Sequence, residues 1–155
     1  MLLALPAITM QFSDTVAWGP EDFAIFAVLL GIVCLTVELA ARTSNHFSYL
    51  AGVSLAAVGG LMLVFINLAV GVIGEPDNLR NLAFFAIPLL GFLGALVGHF
   101  RPMSLIRVLV VMTVIQISAA FLAPAEMMHV MIPFTGAFVG LWLLSAFLIR
   151  RSTHP

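Results

Sequence analysis

YLAGVSLAAVGGLMLVFINLAVGVIG, from Tyr49 to Gly74, runs for 26 residues without a charged side chain. A bilayer core of about 30 Å, crossed at 1.5 Å per residue, needs roughly 20 apolar residues in a row, so this stretch reads as a transmembrane helix. It ends in Glu75-Pro76-Asp77-Asn78-Leu79-Arg80-Asn81, a run of turn formers and charges, and a second apolar stretch begins at once with Leu82. The pattern repeats in both directions. Phe23 to Ala41 precedes it, and Leu82 to Gly98, Ser104 to Leu122 and Met131 to Ile149 follow.

Composition agrees with that reading. The chain has 155 residues, 63% of them hydrophobic and 8% charged, with a mean hydropathy of +1.19, far outside the range of soluble domains. Membrane strands would show alternating segments of roughly ten residues, and these runs are too long and too uniformly apolar for that. The expected fold is all-α: a polytopic transmembrane bundle of five spans. Residues 22–151 form its single domain, 1–21 an outer N-terminal segment and 152–155 a short tail. Met10 is an alternative start. Met1 to Met10 lacks the basic region of a secretory signal, and Trp18-Gly19-Pro20 suits an interfacial turn into the first helix.

Orientation follows from the arginines. Arg42, Arg101, Arg107, Arg150 and Arg151 fall on one side of the alternating spans; the other side carries Arg80 with Asp14, Glu21, Asp22, Glu75, Asp77 and Glu126. Short arginine-bearing loops stay cytoplasmic. The N-terminus is therefore expected outside and the C-terminus in the cytoplasm of a bacterial inner membrane, which five crossings allow.

Helices in lipid associate through close backbone approach, so small residues mark packing faces. Gly52, Ala56 and Gly60 recur every four residues in the second span, Gly94 and Gly98 in the third and Gly136 and Gly140 in the fifth. Packing within the chain is the expected role of all seven. Pro88, inside the third span, should bend it toward a neighbour. Cys34 is expected to be a buried, inert thiol.

Polar groups within the spans are few. Glu38 and Arg42, four apart in the acid-before-base order, form an interfacial ion pair in the simplest reading and a proton-carrying site in the alternative. Asn67 and Gln116, at matching expected depth, are candidates for a hydrogen bond across the bundle. Asp77, Asn78, Arg80 and Asn81 make the outer loop the richest polar cluster. Asn78 is expected to cap the third helix and Arg80 to meet a neighbouring carboxylate, with anion recognition by Arg80 as the functional alternative. His46 and His99 share one side, and Glu126-x-x-His129 has a di-iron spacing in a single copy; loop roles are expected for all four. No hydrolase, zincin or nucleotide-binding motif is present, and no basic surface suits nucleic acid.

Asn67-Leu68-Ala69-Val70-Gly71-Val72-Ile73-Gly74 with Asp77-Asn78 and Asn81-Leu82, Glu38-Leu39-Ala40-Ala41-Arg42, Phe100-Arg101-Pro102 and Trp142-Leu143 leading to Ser145-Ala146 and Arg150-Arg151 together resemble a family of small uncharacterised multi-pass inner-membrane proteins of Gram-negative bacteria. The resemblance covers nearly all the chain from Phe23 onward. The family's outer loop is similar to Gly-Ser-Glu-Asp-Asn-Pro-Ala-Asn-Leu, and here the proline stands earlier, at Pro76. The resemblance implies a membrane location and brings no activity, cofactor or catalytic residue.

The function expected from these readings is a non-enzymatic interaction or accessory protein without cofactor or metal, its partners being the bilayer and either itself or a larger membrane protein. An oligomeric pore or small-solute or proton carrier using Glu38, Asn67 and Gln116 is the alternative. An intramembrane redox or enzyme subunit is the third reading.

Overall fold

A computed structural model describes residues 19–75 and 77–153. Five helices carry the chain: α1 Pro20–Thr43, α2 Phe47–Ala69, α3 Leu82–Val97, α4 Pro102–Ala120 and α5 Met128–Arg151. Short 3-10 turns, Leu79–Asn81 and Ala125–Met127, lead into α3 and α5. The described residues contain no strand, and all five helical segments are long and apolar enough to cross a membrane. Of the expected N-terminal segment 1–21, residues 1–18, including Trp18 of the expected interfacial turn and the alternative start at Met10, lie outside the described residues, whereas Pro20 and Glu21 already belong to α1.

Helices α2 to α5 close into a ring, each packed on the next and α5 returning to α2, while α1 leans chiefly on α2 from outside. The sequence explains the ring through its buried stripes. On α4 the buried residues are Leu105, Leu109, Met112, Gln116 and Ala119, with Thr113 beside them; on α5 they are Met131, Thr135, Phe138, Trp142, Ser145 and Ile149, with Ala146 beside them. Alternating steps of four and three keep one seam of each helix facing its neighbours. By contrast, α1 buries only Ala40. Its first turn is nonetheless well made: Pro20 opens it and the Gly19 N–H donates to Asp22 Oδ2 at 2.8 Å.

Small residues set the register. A side chain placed on Gly52 would meet the Ser145 carbonyl at 2.8 Å and Ile149; one on Gly59 would meet Leu141. Gly91 lies against Met112, Gly94 against Val108 and Gly98 against Ser104, so each step along α3 is matched by a reverse step along α4. Gly60 rests on Pro88, which places the in-helix proline of α3 against α2. Ala56 is half-buried against the core. Gly52, Ala56, Gly60, Gly94 and Gly98 therefore lie in packing positions within the chain. Gly136 and Gly140 do not: both are exposed, and nothing lies within 4 Å of where their side chains would begin.

Two further expectations are corrected. Cys34 is exposed on α1, because a helix that touches mainly one neighbour turns most of its circumference outward. The second span is shorter than Tyr49 to Gly74, since α2 stops at Ala69. Gly71 and Gly74 take φ values of 77° and 67°, in the left-handed region that favours glycine, and turn the last apolar residues back over the end of the bundle. Val72 and Ile73 are buried there without belonging to a helix.

Candidate functional site

Three asparagines build the loop between α2 and α3. Asn67, in the last turn of α2, accepts the Val72 N–H on Oδ1 at 3.3 Å and donates through Nδ2 to the Asn81 carbonyl at 2.8 Å. Asn81 accepts the Ile73 N–H on Oδ1 at 2.8 Å and donates to the Glu75 carbonyl at 2.9 Å. Asn78 accepts the Arg80 N–H at 3.1 Å and donates to the Ile73 carbonyl at 3.1 Å. Asn67 and Asn81 are each 1% exposed, so their amides replace water for a stretch of backbone that leaves helical bonding inside an apolar setting. As expected, Asn78 caps the entry to the third helical segment, through the 3-10 turn that precedes α3.

On the outer surface of this clip, Glu75, Asp77 and Arg80 are exposed. Arg80 makes no ion pair among the described residues, so the carboxylate partner expected for it is absent there; the only such pair they contain is Glu38 with Arg42. That pair has the expected form: Arg42 Nε donates to Glu38 Oε1 at 2.9 Å, both side chains more than half exposed on α1.

The Asn67–Gln116 bond expected from matching depth is not made. Asn67 lies two residues from the true end of α2, and its amide is committed to Val72 and Asn81. Gln116 is fully buried, and neither its Oε1 nor its Nε2 has a hydrogen-bond partner. Thr135 Oγ1 and Trp142 Nε1, on the inward seam of α5, share that condition. Thr113 and Ser145 avoid it by donating back to the Leu109 and Leu141 carbonyls at 2.9 Å.

At the opposite end of the bundle the turn from α3 to α4 is held in an unusual conformation. His99 and Phe100 have φ values of 50° and 54°, in the left-handed region that non-glycine residues rarely adopt. Among the bonds that hold it are Phe100 N–H to the Ala95 carbonyl at 3.0 Å, His99 Nδ1 against the Val97 carbonyl at 3.0 Å, and the Tyr49 hydroxyl to the Phe100 carbonyl at 2.6 Å. The Phe100 ring is buried and Arg101 is exposed. Sequence reasoning passed over Tyr49 and this turn; the chain's one tyrosine at the start of a span was the available signal.

Between α1, α2 and α3 lies a cleft of about 360 Å³, with Leu109 and Met112 of α4 on its walls and Phe100 at one end. Thr36 is the one hydroxyl on those walls, and it donates to the Ile32 carbonyl at 2.7 Å. No group of three or more His, Cys, Asp or Glu side chains able to hold a metal occurs among the described residues. Glu126 and His129 lie in the 3-10 turn and the first turn of α5 and not in the loop expected for them, His129 Nδ1 standing 2.8 Å from the Glu126 carbonyl; His46, just before α2, donates its backbone N–H to Ser44.

The chain matches no protein-family model, no curated protein and no solved structure.

Proposed function

We propose that this chain is a non-enzymatic accessory protein of the bacterial inner membrane, N-terminus outside and C-terminus cytoplasmic, which works by packing against a larger membrane protein or a second copy. One observation carries the reading: the glycine pair at Gly136 and Gly140 is turned outward. Gly52, Gly59, Gly91, Gly94 and Gly98 each meet a neighbouring helix so closely that an added side chain would collide with it, whereas α5 presents two unobstructed glycines one turn apart. Close approach of a further helix is what such a surface permits. The orientation rests on the arginines, five of which lie toward one end of the ring.

The pore or carrier reading has less behind it. Glu38 is paired on the outside of α1, Asn67 is bound into the loop and Gln116 is sealed in the ring, so the three polar residues that a shared path would need are in three different settings.

Purification in mild detergent under native conditions, followed by mass measurement, tests the proposal. A defined dimer or a stoichiometric partner, lost in Gly136→Leu/Gly140→Leu while the protein remains folded, supports it. A monomer in every condition, unchanged by the substitutions and without a co-purifying protein, refutes it.

A further inference from the structure

The cleft between α1, α2 and α3 has the form of a binding site, and its surroundings say what it takes. Its walls are apolar from Leu29 on α1 and Ala57 on α2 to Phe92 on α3, and the Thr36 hydroxyl is already bonded within its own helix. Nothing there would hold a polar solute. A volume of about 360 Å³ lies in the range of small-ligand pockets, and helices this apolar and long enough to cross a membrane would set the cleft against hydrocarbon.

One end of the cleft is not apolar in its vicinity. Phe100, which lines that end, is followed by Arg101, and Ile149, also on the wall, is followed by Arg150. Both arginines are exposed, and neither forms an ion pair among the described residues. Arg101 also stands at the N-cap of α4, a helix of 19 residues, and Arg150 in the last turn of the next helix, α5, so the positive pole of the α4 dipole lies at the same end of the bundle as both arginines. At the left-handed His99–Phe100 turn the Phe100 ring is buried while Arg101, next in the chain, is exposed.

We infer that the cleft holds one acyl chain of an anionic phospholipid whose phosphate is met by Arg101 and Arg150. The apolar walls select the chain and the arginines select the charge. The inference stands apart from the accessory role proposed above, because it concerns the face between α1 and α3 and not the outward glycines of α5.

The test uses the full-length protein, delipidated in mild detergent and titrated in native mass spectrometry with dioleoylphosphatidylglycerol, with dioleoylphosphatidylcholine and with inorganic phosphate. Phosphatidylglycerol should be retained about tenfold more tightly than phosphatidylcholine, the scale of a charge-assisted bidentate contact, and millimolar phosphate should not displace it. Arg101→Gln/Arg150→Gln should reduce phosphatidylglycerol to the level of phosphatidylcholine. Ala57→Trp, which fills the cleft, should weaken both lipids by about tenfold. Should Ala57→Trp fail to fold, Leu89→Trp at the exposed rim carries the same demand. Equal retention of the two lipids by the unmodified protein, displacement by phosphate, or undiminished binding in the filled variant each overturns the inference.

Discussion

Asn67 and Asn81 stand fourteen positions apart and bond directly, the side-chain amide of the first donating to the main-chain carbonyl of the second at 2.8 Å. The same two side chains also accept the N–H groups of Val72 and Ile73, so a single pair of amides closes the end of α2, the start of the α3 segment and the loop between them. Every one of these groups would otherwise be an unpaired polar atom in an apolar place, which gives the pair its energetic weight.

Removing Asn81 should therefore be more damaging than removing any exposed residue of the loop. Asn81→Ala leaves Ile73 N–H and the Glu75 carbonyl without their partners, and because only the first is buried a loss of about 1–3 kcal/mol is expected. Asp77→Ala should change stability by less than about 0.5 kcal/mol. Thermal unfolding of the detergent-solubilised variants, compared at fixed detergent, measures both. A small effect at Asn81 would mean that the loop does not depend on the clip.

Gln116 should behave in the opposite way to an ordinary buried polar residue. Both of its polar atoms lack partners, so Gln116→Met removes unsatisfied groups while nearly keeping the volume; the expected outcome is neutral to stabilising by about 1 kcal/mol. A loss of more than about 1 kcal/mol would show that the amide makes a bond in the membrane, with Thr135 and Trp142 the first residues to examine.

Substituting the glycines separates structure from association. Gly59→Leu meets Leu141 and Gly52→Leu meets the Ser145 carbonyl, and each should destabilise the monomer by about 1–3 kcal/mol or prevent its folding. Gly140→Leu begins its side chain in open space, so the monomer should melt at the same temperature or higher. Circular dichroism melts of the three variants provide the comparison, and equal damage in all three would contradict the outward placement of Gly140.

Glu38→Gln should cost at most about 0.5 kcal/mol, because an exposed pair four residues apart on a helix is worth little. A liposome proton-flux assay supplies the second readout. Flux through the unmodified protein that vanishes in this variant would move the carrier reading ahead of the accessory one.

The proposed orientation predicts that cysteines at Asp77 and Ala125 react with an impermeant thiol reagent in whole cells, whereas those at Met103 and Ser152 do not. Cys34 is replaced by Ala in this background, since the thiol is exposed on α1. Labelling of Ser152→Cys from outside would reverse the arginine argument.

The five helices were legible because hydrophobic length is a property of contiguous sequence, and the Glu38–Arg42 pair because it is local to one helix. Asn67 shows why the rest was not. Its depth was counted from an apolar run ending at Gly74, yet Val72 and Ile73 are apolar because they are buried in a loop, a distinction hydropathy does not draw. Once Gly71 and Gly74 turned the chain, Asn67 fell near the helix end and lost Gln116 as a partner. The outward face of Gly136 and Gly140 was equally invisible, since a four-residue spacing says that two glycines share a face and not what that face meets.

The asparagine clip also bears on the order in which the chain acquires its shape. Closing a loop of fourteen residues loses less chain entropy, by roughly 1.7 kcal/mol, than bringing Gly52 to Ser145, which lies 93 positions further along. The hairpin of α2 and α3 needs no residue beyond Asn81 to fasten its loop. It can be locked while α4 and α5 are still being synthesised, and the later helices are then received by a preformed corner in which Gly52 and Gly59 already wait at the right height.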